Sequence, residues 1–106
     1  MNKSINQLRD SIDKAKVEKE LEDLLNEANT FIQNEPLHID LLELRALIYK
    51  KLQKFGLAIN DYRSILLIDK NHKQAQIQTE QLLTILKYQN TDIFESPNTN
   101  FDPWLD

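Results

Sequence analysis

Two histidines, a run of carboxylates and a trio of lysines are the side chains here whose chemistry could be put to work. His38 and His72 are the only imidazoles, and an imidazole can ligate a metal or move a proton near neutral pH. Neither has a second ligand at the i, i+4 spacing that sets two donors on one helical face, as an H-E-x-x-H site requires. Both sit in polar connectors 34 residues apart, where a polar residue is ordinary. Glu18, Glu20, Glu22 and Asp23 could work as an acid–base pair only in a pocket that shifts their acidity. They alternate with apolar helical positions and therefore face solvent. Lys50, Lys51 and Lys54 gather at a helix end, where cations complement the negative end of the dipole, so capping outranks anion binding. A single glycine, Gly56, rules out a Gly-rich phosphate loop. No nucleophile–base set and no metal constellation is visible, so the expectation is a chain without catalytic, metal or cofactor residues.

Composition narrows the class. The 106 residues leave room for one domain with a modest core. Zero cysteines exclude disulfides and Cys-based zinc or redox sites, and fit a cytosolic protein. A formal charge of −4 argues against a nucleic-acid footprint, which needs a concentrated basic face. No run of about 18 apolar residues predicts a membrane span, and the start, MNKSINQLRDSIDK, lacks the apolar core of a signal peptide. These features predict a soluble cytoplasmic protein that contacts neither nucleic acid nor membrane.

The elements organise around Leu41–Asp69. Leu42, Ala46, Tyr49 and Leu52 form one apolar stripe; Ala58, Ile59, Tyr62, Ile65 and Leu66 form a second. Spacings of three and four put each set on one face of a helix. A turn at Lys54–Leu57, around Gly56, makes the pair an antiparallel hairpin. Upstream, Ile5, Leu8, Ile12 and Ala15 predict a helix with Ser4 as N-cap, and Val17, Leu21, Leu24, Ala28 and Phe31 predict a second stretch. On one continuous helix these stripes would lie nearly opposite each other. Either the helix breaks near Lys14–Val17 or a single long helix is gripped from two sides. Asn34-Glu35-Pro36 stops it, because proline pushes the preceding residue out of the α region. Lys70–Lys73 is a connector, and residues 74–89 form a last helix with Ala75, Thr79, Leu82, Leu83 and Leu86 on one side. Its other side, rich in Gln and Lys, reads as a wet face that ends a stack.

Shifting the chain by 34 residues aligns it with itself without a gap. Leu21 meets Phe55, Leu24 meets Ala58, Ala28 meets Tyr62, Phe31 meets Ile65, and His38 meets His72. With this period and with Leu42, Ala46, Tyr49, Phe55, Ala58, Tyr62 and Ile65 at the repeat-core positions, the chain resembles the tetratricopeptide repeat (TPR) family over about residues 5–88. It departs from the family pattern at Arg45, where Leu is usual, at Ile65 for the second Ala, and at Lys70 for Pro. The resemblance implies an all-α fold: a short right-handed stack of antiparallel hairpins, about five helices, over residues 1–90. It also implies a protein or peptide partner. Many TPR adaptors grip acidic chaperone tails with inward Lys, Asn and Arg; the corresponding positions here are Arg9, Asp13, Leu44, Gln74 and Gln78. Only Arg9 is cationic, so no binding of peptides ending in Glu-Glu-Val-Asp is expected.

Residues 91–106, TDIFESPNTNFDPWLD, change character. Pro97 and Pro103 deny helix, so an extended segment is expected. It keeps Ile93, Phe94, Phe101, Trp104 and Leu105, more large apolar groups than a disordered linker carries. Three readings fit: an end with incidental aromatics, a segment that docks on its own or a sister chain through Trp104, or a linear motif for another protein. Asp102-Pro103-Trp104 resembles the tripeptide by which endocytic accessory proteins bind clathrin-adaptor ear domains. Phe94, Phe101, Asp102, Pro103, Trp104 and Leu105 are thus the candidate interaction residues, and docking is the favoured reading because aromatic anchors dominate such contacts. The sequence as a whole predicts a non-enzymatic interaction or scaffold module. The alternative is a homodimeric subunit that buries its apolar surfaces and tail in its own assembly.

Overall fold

In a computed structural model of the chain, which describes residues 5–89, the fold is all-α. Five helices follow one another: α1 (Ile5–Lys14), α2 (Glu18–Asn34), α3 (Ile39–Lys51), α4 (Phe55–Ile68) and α5 (Lys73–Gln89). No strand occurs among the described residues. Ser4 and the segment from residue 90 onward, with all the candidate tail residues, lie outside them.

The amino-terminal stretch is two helices. α1 stops at Lys14 and α2 starts at Glu18, although neither Gly nor Pro intervenes. The break is made by Glu20, whose carboxylate accepts hydrogen bonds from the backbone N–H groups of Lys16 (3.0 Å) and Val17 (3.5 Å). The bond to Val17, the N-cap residue, is the half of a capping box that the N3 glutamate supplies, and the bond to Lys16 extends it one residue upstream. Once the chain has turned, both stripes meet. Leu8, Ile12 and Ala15 pack with Leu21, Leu24 and Ala28 in one buried cluster.

α3 is the wall between that cluster and the rest of the core. Leu44 and Ile48 complete the amino-terminal cluster. Leu41, Leu42 and Ala46 join Ile32, Ala58, Ile59, Tyr62, Ile65, Ala75 and Leu82 in a second. The stripe expected from spacing, Leu42 to Leu52, is therefore only one of the faces α3 buries. A helix covered on several sides needs apolar residues all round, as its sequence LLELRALIY has. Tyr49 and Phe55 are half-buried at the margin of the second cluster.

The α3–α4 turn lies one step earlier than Gly56 suggests. α3 ends in a Schellman motif: Gln53 N–H donates to Lys50 C=O (2.9 Å) and Lys54 N–H to Tyr49 C=O (2.8 Å). The left-handed residue this closure needs is Gln53, at φ 61°. Gly56 is already in the first turn of α4, so Lys54–Leu57 is not the turn.

The wet face expected of α5 also needs correction. Only Ala75 and Leu82 are buried. Ile77 and Ile85 stand among the glutamines of the outer side, at 44% and 38% exposure, with Tyr88 at 74%. Leu83, expected on the inner side, is exposed as well. No helix among the described residues is long and apolar enough to cross a membrane.

Candidate interaction surface

The most buried polar group of the described core is Asp61 of α4, only 3% exposed. Its carboxylate takes a two-pronged ion pair from Arg45 of α3: Nε to Oδ2 at 2.9 Å and Nη2 to Oδ1 at 2.6 Å. Arg45 Nη1 donates to Asn29 Oδ1 of α2 at 3.0 Å, and the guanidinium lies 5.9 Å from the Tyr49 ring centroid. Arg45, expected to depart from the repeat pattern, thus faces a buried carboxylate. Burial pushes the Asp61 carboxyl above the ordinary range, against the opposing pull of Arg45, while the Asp61 hydrogen bond holds the guanidinium's pKa up. These groups tie α2, α3 and α4 together, and each spends its polar atoms on another. The arrangement is a structural brace rather than a poised acid or base.

The histidines separate. His72 Nδ1 accepts a hydrogen bond from the backbone N–H of Ala75 at 3.1 Å, capping α5, while its Nε2 lies 3.6 Å from Glu43 Oε2 of α3. His38 precedes α3 without a side-chain cap; its Nδ1 is buried and unpaired, and its Nε2 is 3.8 Å from Glu35. Among the described residues no three His, Cys, Asp or Glu side chains come together. Of the lysine trio only Lys51 is seen to cap, and it does so across the fold. Lys51 Nζ donates to the carbonyls of Ile12 (2.7 Å) and Asp13 (3.3 Å), closing the end of α1 rather than of its own helix. Lys50 reaches Gln78 of α5, and burial lowers its pKa. Glu18, Glu20, Glu22 and Asp23 are all exposed, as expected, and Glu20 is in addition the α2 cap described above.

The repeat-core residues divide by depth. Leu42, Ala46, Ala58, Tyr62 and Ile65 are buried, with Tyr49 and Phe55 half-buried beside them. Burial pushes the Tyr62 hydroxyl up to about 12. Leu44, taken as an inward ligand position, is instead packed in the amino-terminal cluster at 2% exposure.

Large apolar side chains stand exposed at several places, Leu37 and Leu67 among them, and on α5 several of them line up along one helix. Ile77, Ile85 and Tyr88 stand at i, i+8 and i+11 and so share one side of the helix, with Gln81 and Thr84 between them. That side is turned away from Ala75 and Leu82, which pack on α4. Its beginning is held to α3 by the Lys50–Gln78 and His72–Glu43 contacts, which fix where the stripe points. The sequence carried a signal for it in the isoleucines at 77 and 85, eight residues apart. No protein-family model, curated protein or solved structure matches this chain.

Proposed function

We propose that this chain is a non-enzymatic protein-interaction module, a short stack of TPR-like helix hairpins whose last helix offers its outer side to a protein or peptide partner. The observation that carries the reading is the exposure of Ile77, Ile85 and Tyr88 along one side of α5. Side chains at helical spacing on an uncovered face are the anchors by which one helix receives another helix or an extended peptide. Each Ile or aromatic fully covered there is worth roughly 1.5–3 kcal/mol before the cost of ordering. Rigidity supports the reading too. α5 is capped by His72 and held to α3, so the face is presented preformed and little ordering opposes binding.

A photo-crosslinking side chain at position 85 of the full chain, compared with one at the exposed Gln33 of α2, tests this in the source cell. The expected result is a covalent adduct with one discrete protein from position 85 and none from position 33. Adducts only between copies of this chain, or equal labelling from both positions, would overturn it.

A further inference from the structure

The same side of α5 has a ready occupant in the chain itself. Residues 90–106 begin one residue after α5 ends and two after Tyr88, so the segment leaves from the end of the open stripe. Its length is ample. Seventeen extended residues reach about 56 Å, whereas α5, also seventeen residues, is about 25 Å long. Asn90-Thr91-Asp92 supplies turn-forming residues directly before Ile93 and Phe94. A reversal there puts those two side chains over Tyr88 and Ile85. From Phe94 to Trp104 an extended chain would cover about 33 Å, against about 12 Å from Ile85 to Ile77 along the helix, so the segment has slack to turn at Ser96-Pro97-Asn98 and set Trp104 beside Ile77.

Charge points the same way. Residues 1–89 contain 13 acidic and 13 basic side chains, so the whole formal charge of −4 belongs to the last seventeen residues: Asp92, Glu95, Asp102 and Asp106, with no cation among them. A segment running back along α5 delivers Asp102 and Asp106 to the helix end that carries Lys70 and Lys73, where the dipole also favours carboxylates. Running the other way, away from the helices, it would leave four like charges and five large apolar groups without complement.

We infer that the carboxy-terminal segment, residues 90–106, docks antiparallel on the Ile77–Ile85–Tyr88 side of α5 in its own chain, with Trp104 as the anchor near the Lys70–Lys73 end. The inference rests on the reading of that side as a binding face.

Trp104 is the only tryptophan, so its fluorescence in the purified full chain reports the segment alone. The expected result is blue-shifted emission with protection from acrylamide, unchanged on hundredfold dilution. In an Ile77→Ser/Ile85→Ser chain the emission should move to that of a free indole and quenching should rise severalfold, while far-UV circular dichroism stays the same because both positions are exposed. A Lys70→Glu/Lys73→Glu chain should show a smaller shift in the same direction. Free-indole emission in the unaltered chain, protection that disappears on dilution, or protection indifferent to the α5 substitutions would each overturn the inference. These measurements contain no partner, so their failure is separate from that of the crosslinking at position 85.

Discussion

Helices α3 and α5 both carry apolar side chains on more than one side, yet their surroundings are opposite. α3 is enclosed by α1, α2 and α4, and Leu41, Leu42, Leu44, Ala46 and Ile48 are all buried. α5 packs on α4 with Ala75 and Leu82, and leaves Ile77, Leu83, Ile85 and Tyr88 in the open. All-round apolar character means cover on all sides in the first helix. In the second it means a side that the described helices leave open. The difference separates residues that hold the fold from residues that the fold does not use.

The sharpest way to break the comparison is to put a charge at matched isoleucines. Ile48→Asp buries an unpaired carboxylate in a fully covered site and should abolish cooperative folding, a loss above about 4 kcal/mol. Ile85→Asp, on the side that no described helix covers, should keep a cooperative transition and cost far less. Thermal melts of the two chains check this, and equal losses would mean that α5 is enclosed like α3. Ile65→Asp, at a second fully buried site, should behave like Ile48→Asp.

The next effect concerns the brace on the covered side of α3. Asp61→Ala leaves Arg45 without its partner and should cost about 3–5 kcal/mol, whereas Arg45→Leu with Asp61→Leu should be near neutral, since both desolvation penalties go together. Urea unfolding of the three chains decides it. A cost for the double substitution as large as for the single one would show that the pair does more than satisfy itself.

How much of this was legible follows from what each residue reports. Helices were readable wherever one apolar stripe faced one core, as in Leu8 and Ile12 or Tyr62 and Ile65. α3 was read through a single stripe, because the side chains that pack behind it, Leu44 and Ile48, fall outside the period of Leu42, Ala46 and Tyr49. The Arg45–Asp61 pair joins separate helices, so no local spacing announces it; the only trace was an arginine within the apolar run LLELRALIY. The turn was misplaced because Gly56 is the one glycine, and the strained residue is a glutamine. The isoleucines of α5 were hidden by the Gln and Lys around them.

Alkaline pH distinguishes a tyrosine facing α3 from one on the open helix. Burial raises Tyr62 to about 12 in the folded chain, against about 10 when unfolded. A raised value favours the neutral hydroxyl, so its stabilisation is complete below pH ~10 and is lost as pH rises through the folded value. The loss is about 2–3 kcal/mol by about pH 12. Urea midpoints at pH ~9 and ~11 should fall in the unaltered chain and in Tyr88→Phe, and fall less in Tyr62→Phe.

The smallest expected effect sharpens the end of α3. Gln53 adopts a left-handed conformation that costs a residue with Cβ roughly 1 kcal/mol. Gln53→Gly should therefore stabilise the chain by about 0.5–1 kcal/mol in urea unfolding, and a loss of stability would mean that the Gln53 side chain makes a contact worth more than the strain.

The most direct test of α5 as a binding face filled from the chain's own end is a methyl–aromatic NOE spectrum of the full chain. The account predicts cross-peaks from the Trp104 indole to the Ile77 methyls, and from Phe94 to those of Ile85, at intensities independent of protein concentration. A Trp104 indole with no contact to any α5 side chain would contradict it.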